Sequence, residues 1–219
     1  MPLPMDLTAR ALLLDMDGTL VDSGAVVMRV WGRWAAAHGL SPERVEEVVH
    51  GRQGHESMAI LLPGRPTAEN VADNARMLAE ETADLDGIVP IPGAPAFLAA
   101  LAGVPHALVT SADVALSTGR MGAAGLALPE VRITAEDVSA SKPDPEGFLK
   151  GAAELGFAPE DCVVFEDSAA GVAAGLAAGM RVVGVGAATA AYGATVTVDT
   201  LEQVAVLPRP DGSVTLRIG

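Results

Sequence analysis

The chain has 219 residues, half of them hydrophobic and 3% aromatic, with a single cysteine and a formal net charge of −14 at pH 7. This length suits one α/β domain with a modest insertion. The acidic balance excludes the clustered Lys and Arg of a nucleic-acid surface, and no apolar stretch reaches the roughly 18–20 residues of a membrane span. Cys162 has no partner for an intramolecular disulfide, and Met1–Asp6 lacks the basic flank and apolar block of a secretory leader. Both features point to a cytoplasmic protein in a reducing compartment.

In chain order, Ala11-Leu12-Leu13-Leu14 is a continuous apolar run that stops at an acidic turn, as a buried parallel strand does. From about Asp22 to Pro92 the patterns are helical. Val27, Val30, Trp31 and Trp34 fall at i, i+3, i+4, i+7 and stop at Gly39, a spacing that packs the two tryptophans inside this segment. Ser41-Pro42-Glu43 reads as N-cap, first-turn proline and first-turn acid. Met58–Leu62 and Thr67–Asp84 continue the helical theme. Beyond Pro92, apolar runs alternate with helix-like segments. The strands are His106–Val109, a weaker Val131–Ile133, Cys162–Phe165 and Arg181–Val185; the helices are Pro95–Leu101, Val114–Ala123, Pro145–Leu155 and Ala169–Ala178. Glycines 103, 125, 156 and 179 stand where helices stop. This alternation predicts an α/β fold, a Rossmann-like parallel sheet core with right-handed crossovers. Residues 1–21 and 93–219 would form that core and 22–92 an inserted helical cap domain, hinged at Val21–Gly24 and Gly87–Gly93. Val204–Ile218, with Asp211-Gly212 at its centre, predicts a terminal hairpin.

The chemistry concentrates where strands end. Asp15 and Asp17 follow the first apolar run, and Gly18 permits a tight backbone immediately after them. A bare Asp-x-Asp is usually an acidic turn or cap. A calcium loop is excluded, because its sixth position needs Gly and Leu20 stands there. Thr110-Ser111, Glu166-Asp167-Ser168 and the stiff loop Ser141-Lys142-Pro143-Asp144-Pro145 each have a plain alternative as turn hydroxyl, helix cap or solvated charge. Together they converge, because an open parallel sheet gathers the carboxyl ends of its strands into one crevice. Asp15, Asp17, Glu166 and Asp167 then face one lysine, Lys142, in a chain whose other lysine is Lys150. Each like-charged pair at 4 Å costs about 4 kcal/mol at an effective dielectric near 20. Such a cluster must protonate or hold a divalent cation, and all-oxygen ligation suits Mg²⁺. No His/Cys spacing supports zinc.

Asp15-Met16-Asp17-Gly18-Thr19-Leu20-Val21-Asp22-Ser23, Thr110, Lys142 and Glu166-Asp167-Ser168-Ala169-Ala170-Gly171 together resemble the four motifs of the haloacid dehalogenase superfamily. The resemblance covers nearly the whole chain. It places the sequence in the branch with a helical cap between motifs one and two, beside sugar-phosphate and glycerol-phosphate phosphatases and β-phosphoglucomutase-like enzymes. It implies that Asp15 attacks phosphorus and forms an aspartyl-phosphate, and that Asp17 serves as acid and then base. Thr110 and Lys142 would hold the phosphoryl oxygens with backbone N–H groups near Met16, Asp17 and Ser111. Mg²⁺ would be bound by the Asp15 carboxylate, the Asp17 backbone carbonyl and Asp167, with Glu166 contributing directly or through water. True dehalogenases of the superfamily lack the second acid that Asp17 supplies. Phosphonoacetaldehyde hydrolases and β-phosphoglucomutases use a cap lysine, and none lies between Asp22 and Pro92. Gly54 stands where the mutase pattern has arginine, whereas His50-Gly51-Arg52-Gln53 resembles sugar- and polyol-phosphate phosphatases. The resemblance therefore implies a phosphomonoesterase acting on a small phosphate ester, with a monomer as the default expectation; a mutase-like phosphotransferase and a non-catalytic binding protein are the alternatives. Arg52, His55 and Glu56 are candidates to read the substrate from the cap.

Overall fold

The structure is a computed structural model that describes residues 5–219; Met1–Pro4 of the N-terminal segment considered above lie outside the described residues. The apolar runs become β2 (Ala11–Leu14), β5 (His106–Val109), β6 (Val131–Ile133), β7 (Cys162–Glu166), β8 (Arg181–Val185) and β9 (Val196–Val198). They form one parallel sheet in the order β6-β5-β2-β7-β8-β9. All four residues of β2 are buried, as expected of a central strand covered on both faces. The two-residue period of the strands sorts their side chains into two cores. Leu12, Leu14, Leu108, Val163, Phe165 and Val183 face one side, which α5 (Ala94–Ala100) and α6 (Val114–Ala123) cover. Phe97 of α5 packs there on Phe165, ring centroids 4.9 Å apart. Leu13, Val109, Cys162, Val164 and Val182 face the other side with Phe148 and Val172, which belong to α7 (Glu146–Leu155) and α8 (Ala169–Ala177). Cys162 is thus a buried core residue, and burial pushes its thiol up to about 11, far from thiolate chemistry.

The chain leaves the sheet through β3 (Val21–Asp22) and returns through β4 (Val89–Pro90), which pair antiparallel as a short ribbon. Between them lie α1 (Gly24–Ala37), α2 (Pro42–Val49), α3 (Gly54–Leu61) and α4 (Thr67–Ala83). These helices share their own core, in which Val30, Trp31, Trp34, Val45, Met58 and Met77 meet. The two tryptophans stack edge to face, 5.5 Å apart, and Trp34 Nε1 donates to Asp73 at 2.9 Å. Ser41 caps α2 by accepting the Arg44 N–H. Helix α3 starts at Gly54, four residues before the expected Met58, because Ser57, Met58 and Leu61 share its buried stripe.

Besides the β3–β4 ribbon, which stands where hinges were expected, two more strands go beyond the sequence reading. β9 extends the sheet with only three residues, and β1 (Met5–Ala9) pairs antiparallel with β11 (Val214–Ile218). β11 also pairs with β10 (Val204–Pro208) in the expected hairpin, closed by Arg209 N–H to Ser213 at 2.9 Å and Gly212 N–H to Arg209 at 3.1 Å. No helix among the described residues is long and apolar enough to cross a membrane.

Candidate active site

Strands β5, β2 and β7 are neighbours, so the residues just past their carboxyl ends stand side by side. Asp15 follows β2, Thr110 follows β5, and Glu166-Asp167 closes β7. The Asp15 N–H donates to Phe165 O at 3.0 Å, which fixes the base of the turn. Lys142 enters from the loop between β6 and α7 and is buried. Its Nζ donates to Asp15 Oδ1 at 2.5 Å, to Glu166 Oε1 at 2.6 Å and to Val109 O at 3.1 Å. One ammonium therefore bridges two buried carboxylates.

Glu166 is fully engaged. Its Oε2 accepts from the Asp167 N–H at 2.9 Å, the Ser168 N–H at 3.0 Å and Ser168 Oγ at 3.0 Å. Burial opposes the charge of Lys142, yet the carboxylates of Asp15 and Glu166 outweigh it and hold the ammonium above its ordinary value. Burial, reinforced by the Glu166 charge, pushes Asp15 and Asp167 above the ordinary carboxylate range. Oxygens of Asp15, Glu166 and Asp167 lie within 4.8 Å of one another. Three converging carboxylates against one ammonium, with no nitrogen or sulfur donor, form a donor set that fits a hard divalent cation.

Close packing makes two glycines indispensable. Gly18 has φ +80°, and a Cβ there would lie 1.9 Å from Asp167 Oδ2. A Cβ on Gly171 would lie 1.7 Å from Glu166 Oε1. Among the described residues, the backbone N–H groups of Met16, Asp17 and Ser111 donate to no protein acceptor, leaving three donors beside Asp15 and Thr110 for an anion.

Asp17 lies apart from the acidic cluster. Its Oδ1 accepts from Ser23 Oγ at 2.6 Å and forms an ion pair with an Arg120 terminal nitrogen at 2.8 Å. The other arm of Arg120 reaches Glu81 Oε2 at 2.6 Å. The helical insertion roofs these groups. Ser111 Oγ donates to Gly51 O at 3.0 Å, Arg52 donates to Lys142 O at 3.3 Å, and Gln53 Nε2 donates to Ala135 O at 3.3 Å. Sheet and insertion enclose a cleft of about 290 Å³, with Asp15, Asp17, Thr110, Ser111 and Asp167 on one wall.

Of the three candidate substrate readers, Arg52 lines this cleft and His55 and Glu56 do not. Packing of Met58 and Leu61 sets the rotation of α3, and Glu56 instead accepts a hydrogen bond from Ser141. Trp31 serves both the insertion's core and the cleft wall. Sequence reasoning missed Arg120, Glu81 and Asn74, which also line the cleft. The signal was present: Arg120 shares the buried stripe of α6 with Leu116 and Met121, and Glu81 that of α4 with Met77.

Comparison with known proteins decides the family, since the profile of haloacid dehalogenase-like hydrolases matches residues 9–179. The chain belongs to this family. Hexitol phosphatase A of Escherichia coli (strain K12) is 41% identical to this hydrolase over 213 residues, 95% of this chain and 99% of that one. Glycerol-1-phosphate phosphohydrolase 1 of Saccharomyces cerevisiae is 32% identical over 83% of this chain and 76% of its own. A haloacid dehalogenase family hydrolase from Deinococcus radiodurans R1, solved with bound phosphate and sodium, superposes with a TM-score of 0.63 at 30% identity. The superposition covers 87% of this hydrolase and 90% of that chain.

Proposed function

We propose that this chain is a Mg²⁺-dependent phosphomonoesterase that hydrolyses a small sugar or polyol phosphate through an aspartyl-phosphate on Asp15, as a cytoplasmic monomer. The observation that carries this reading is the placement of Asp15: buried, bonded to Lys142, and beside three unpaired N–H groups in a roofed cleft. The polyol assignment is supported by the 41% identical relative whose name is a hexitol phosphatase and by the glycerol-1-phosphate phosphohydrolase. Among the described residues, 5–21 and 93–219 serve as the catalytic core and 22–92 as the cap.

Asp15 and Asp167, with the Asp17 backbone carbonyl, would hold Mg²⁺; Glu166, already bonded to four donors, acts mainly by fixing Lys142 and the loop after β7. When bound, the metal supplies positive charge that lets a dianionic phosphate approach an anionic nucleophile. Lys142 fixes Asp15 and meets a phosphoryl oxygen alongside Thr110 and the Met16, Asp17 and Ser111 amides. An Asp15 oxygen attacks phosphorus, the ester P–O bond breaks, and the leaving oxygen takes a proton from Asp17. Water then attacks the same phosphorus, returns a proton to Asp17 and releases Asp15 with inorganic phosphate. The helical insertion shields both steps from bulk water.

A mutase-like phosphotransferase would use the same Asp15 but needs a second acceptor site, and no lysine in the insertion supplies a charged anchor for one. The two readings separate in one assay of a hexitol phosphate with Mg²⁺. Stoichiometric inorganic phosphate is expected; accumulation of a phosphate isomer with little free phosphate would overturn the phosphatase reading.

A further inference from the structure

The cleft has a wall, joined to Asp17 through Arg120, to which the proposed phosphate steps assign no role. Helix α4 presents Asn74, Met77, Leu78 and Glu81 to it, at i, i+3, i+4 and i+7. Glu81 is the one acid of this stripe, and it is buried. Its Oε2 is bonded to Arg120, while Oε1 accepts from no group among the described residues. Arg120 is itself buried and already holds Asp17 with its other arm. One guanidinium thus serves two carboxyl groups, and Glu81 has no cation of its own among the described residues. Arg52, the other cation lining the cleft, donates to the Lys142 carbonyl at the phosphate end.

We infer that Glu81, held by Arg120, selects substrates whose leaving group is neutral and rich in hydroxyls and rejects those carrying a second anion. This rests on the phosphatase reading above and deepens it. Hydroxyl groups donate to the free Glu81 oxygen, and the apolar Met77 and Leu78 between Asn74 and Glu81 pack on the carbon chain. A carboxylate or second phosphate placed there meets an acid whose positive partner is already shared, and it must be desolvated without compensation. Discrimination therefore comes from a repulsive element as much as an attractive one. Burial pushes the Glu81 carboxyl up to about 7, against the pull of Arg120, so the repulsive charge is complete only above that pH, where the comparison below is made.

The test compares kcat/KM for three phosphate monoesters: a hexitol 6-phosphate, the matching aldonate 6-phosphate with a terminal carboxylate, and phosphoglycolate. The wild-type chain is expected to favour the hexitol over the aldonate ester by at least about tenfold. Glu81→Gln keeps the shape, removes the charge and shrinks that ratio by about tenfold, mainly through a lower KM for the anionic substrates. Equal wild-type rates on hexitol and aldonate esters overturn the inference, whether or not the variant folds. So does an unchanged ratio in a folded Glu81→Gln. A wild-type chain that releases phosphate from no monoester overturns the phosphatase reading as well, so the two failures are distinguishable.

Discussion

Replacing Lys142 by methionine keeps the apolar stem, which lies near the Phe148 ring (Nζ to centroid 5.1 Å), and deletes the ammonium shared by Asp15 and Glu166. Both acids are buried, so water cannot take over the lost charge. Coulomb attraction for each pair is about 4 kcal/mol at 4 Å and an effective dielectric near 20. The desolvation of all three groups offsets much of that sum, and stripping one partner from a buried pair typically costs about 3–5 kcal/mol. Lys142→Met should therefore lose about 3–5 kcal/mol in urea unfolding without divalent metal. The loss should grow as pH rises, because Asp15 is held above the ordinary carboxylate range by burial and its ionisation is what the lysine offsets. A barrier increase of similar size lowers kcat by at least about 100-fold. Mg²⁺ should recover part of the stability and little of the activity, since it cannot replace the donor at Asp15 Oδ1. A variant within about 1 kcal/mol of wild type, with kcat reduced less than tenfold, would refute the idea that Lys142 balances this site.

Further predictions follow from the same geometry. Glu146 accepts from Ser139 Oγ and the Ser139 and Ala140 amides and pairs with Lys150, anchoring the loop that carries Lys142. The Lys150 and Ser139 hydrogen bonds hold its carboxyl down at about 2, below the usual 4.5. Its contribution is thus present above pH 4.5 and lost as pH falls towards 2, so Glu146→Gln should abolish that segment of the acid-stability curve. An acid limb identical in the variant would contradict this. Gly171→Ala must displace the Glu166 carboxylate and should destabilise by about 1–3 kcal/mol while lowering kcat; thermal melting and phosphate release check both. Mg²⁺ should raise the melting temperature of the metal-free protein, and Asp167→Asn should remove that rise. An equal rise in the variant would place the metal elsewhere.

Much of the fold was legible because parallel strands buried on both faces announce themselves as unbroken apolar runs. Leu12 to Leu14, Leu108 and Val163 to Phe165 are such runs, and the residue types just past them are acids and a hydroxyl. Lys142 was legible through scarcity and its proline-flanked loop. Strands β1 and β9 were not. Met5–Ala9 alternates like any exposed segment, and its partner β11 lies more than 200 residues away. Arg120 and Glu81 were hidden differently: each sits on the inward face of an amphipathic helix, and their partnership joins helices 39 residues apart. Local periodicity reports which face is buried, not which buried charges meet. The same limit explains Glu56, whose direction depends on how Met58 and Leu61 rotate α3 rather than on its own neighbours.

The central claim is that Asp15 becomes covalently phosphorylated. Rapid acid quench of the enzyme with Mg²⁺ and a ³²P-labelled hexitol phosphate, followed by peptide mapping, tests it directly. The account predicts hydroxylamine-labile label on the peptide containing Asp15, formed and discharged at rates that sustain turnover and absent from a folded Asp15→Asn. Label on another residue, or normal turnover by Asp15→Asn, would contradict it.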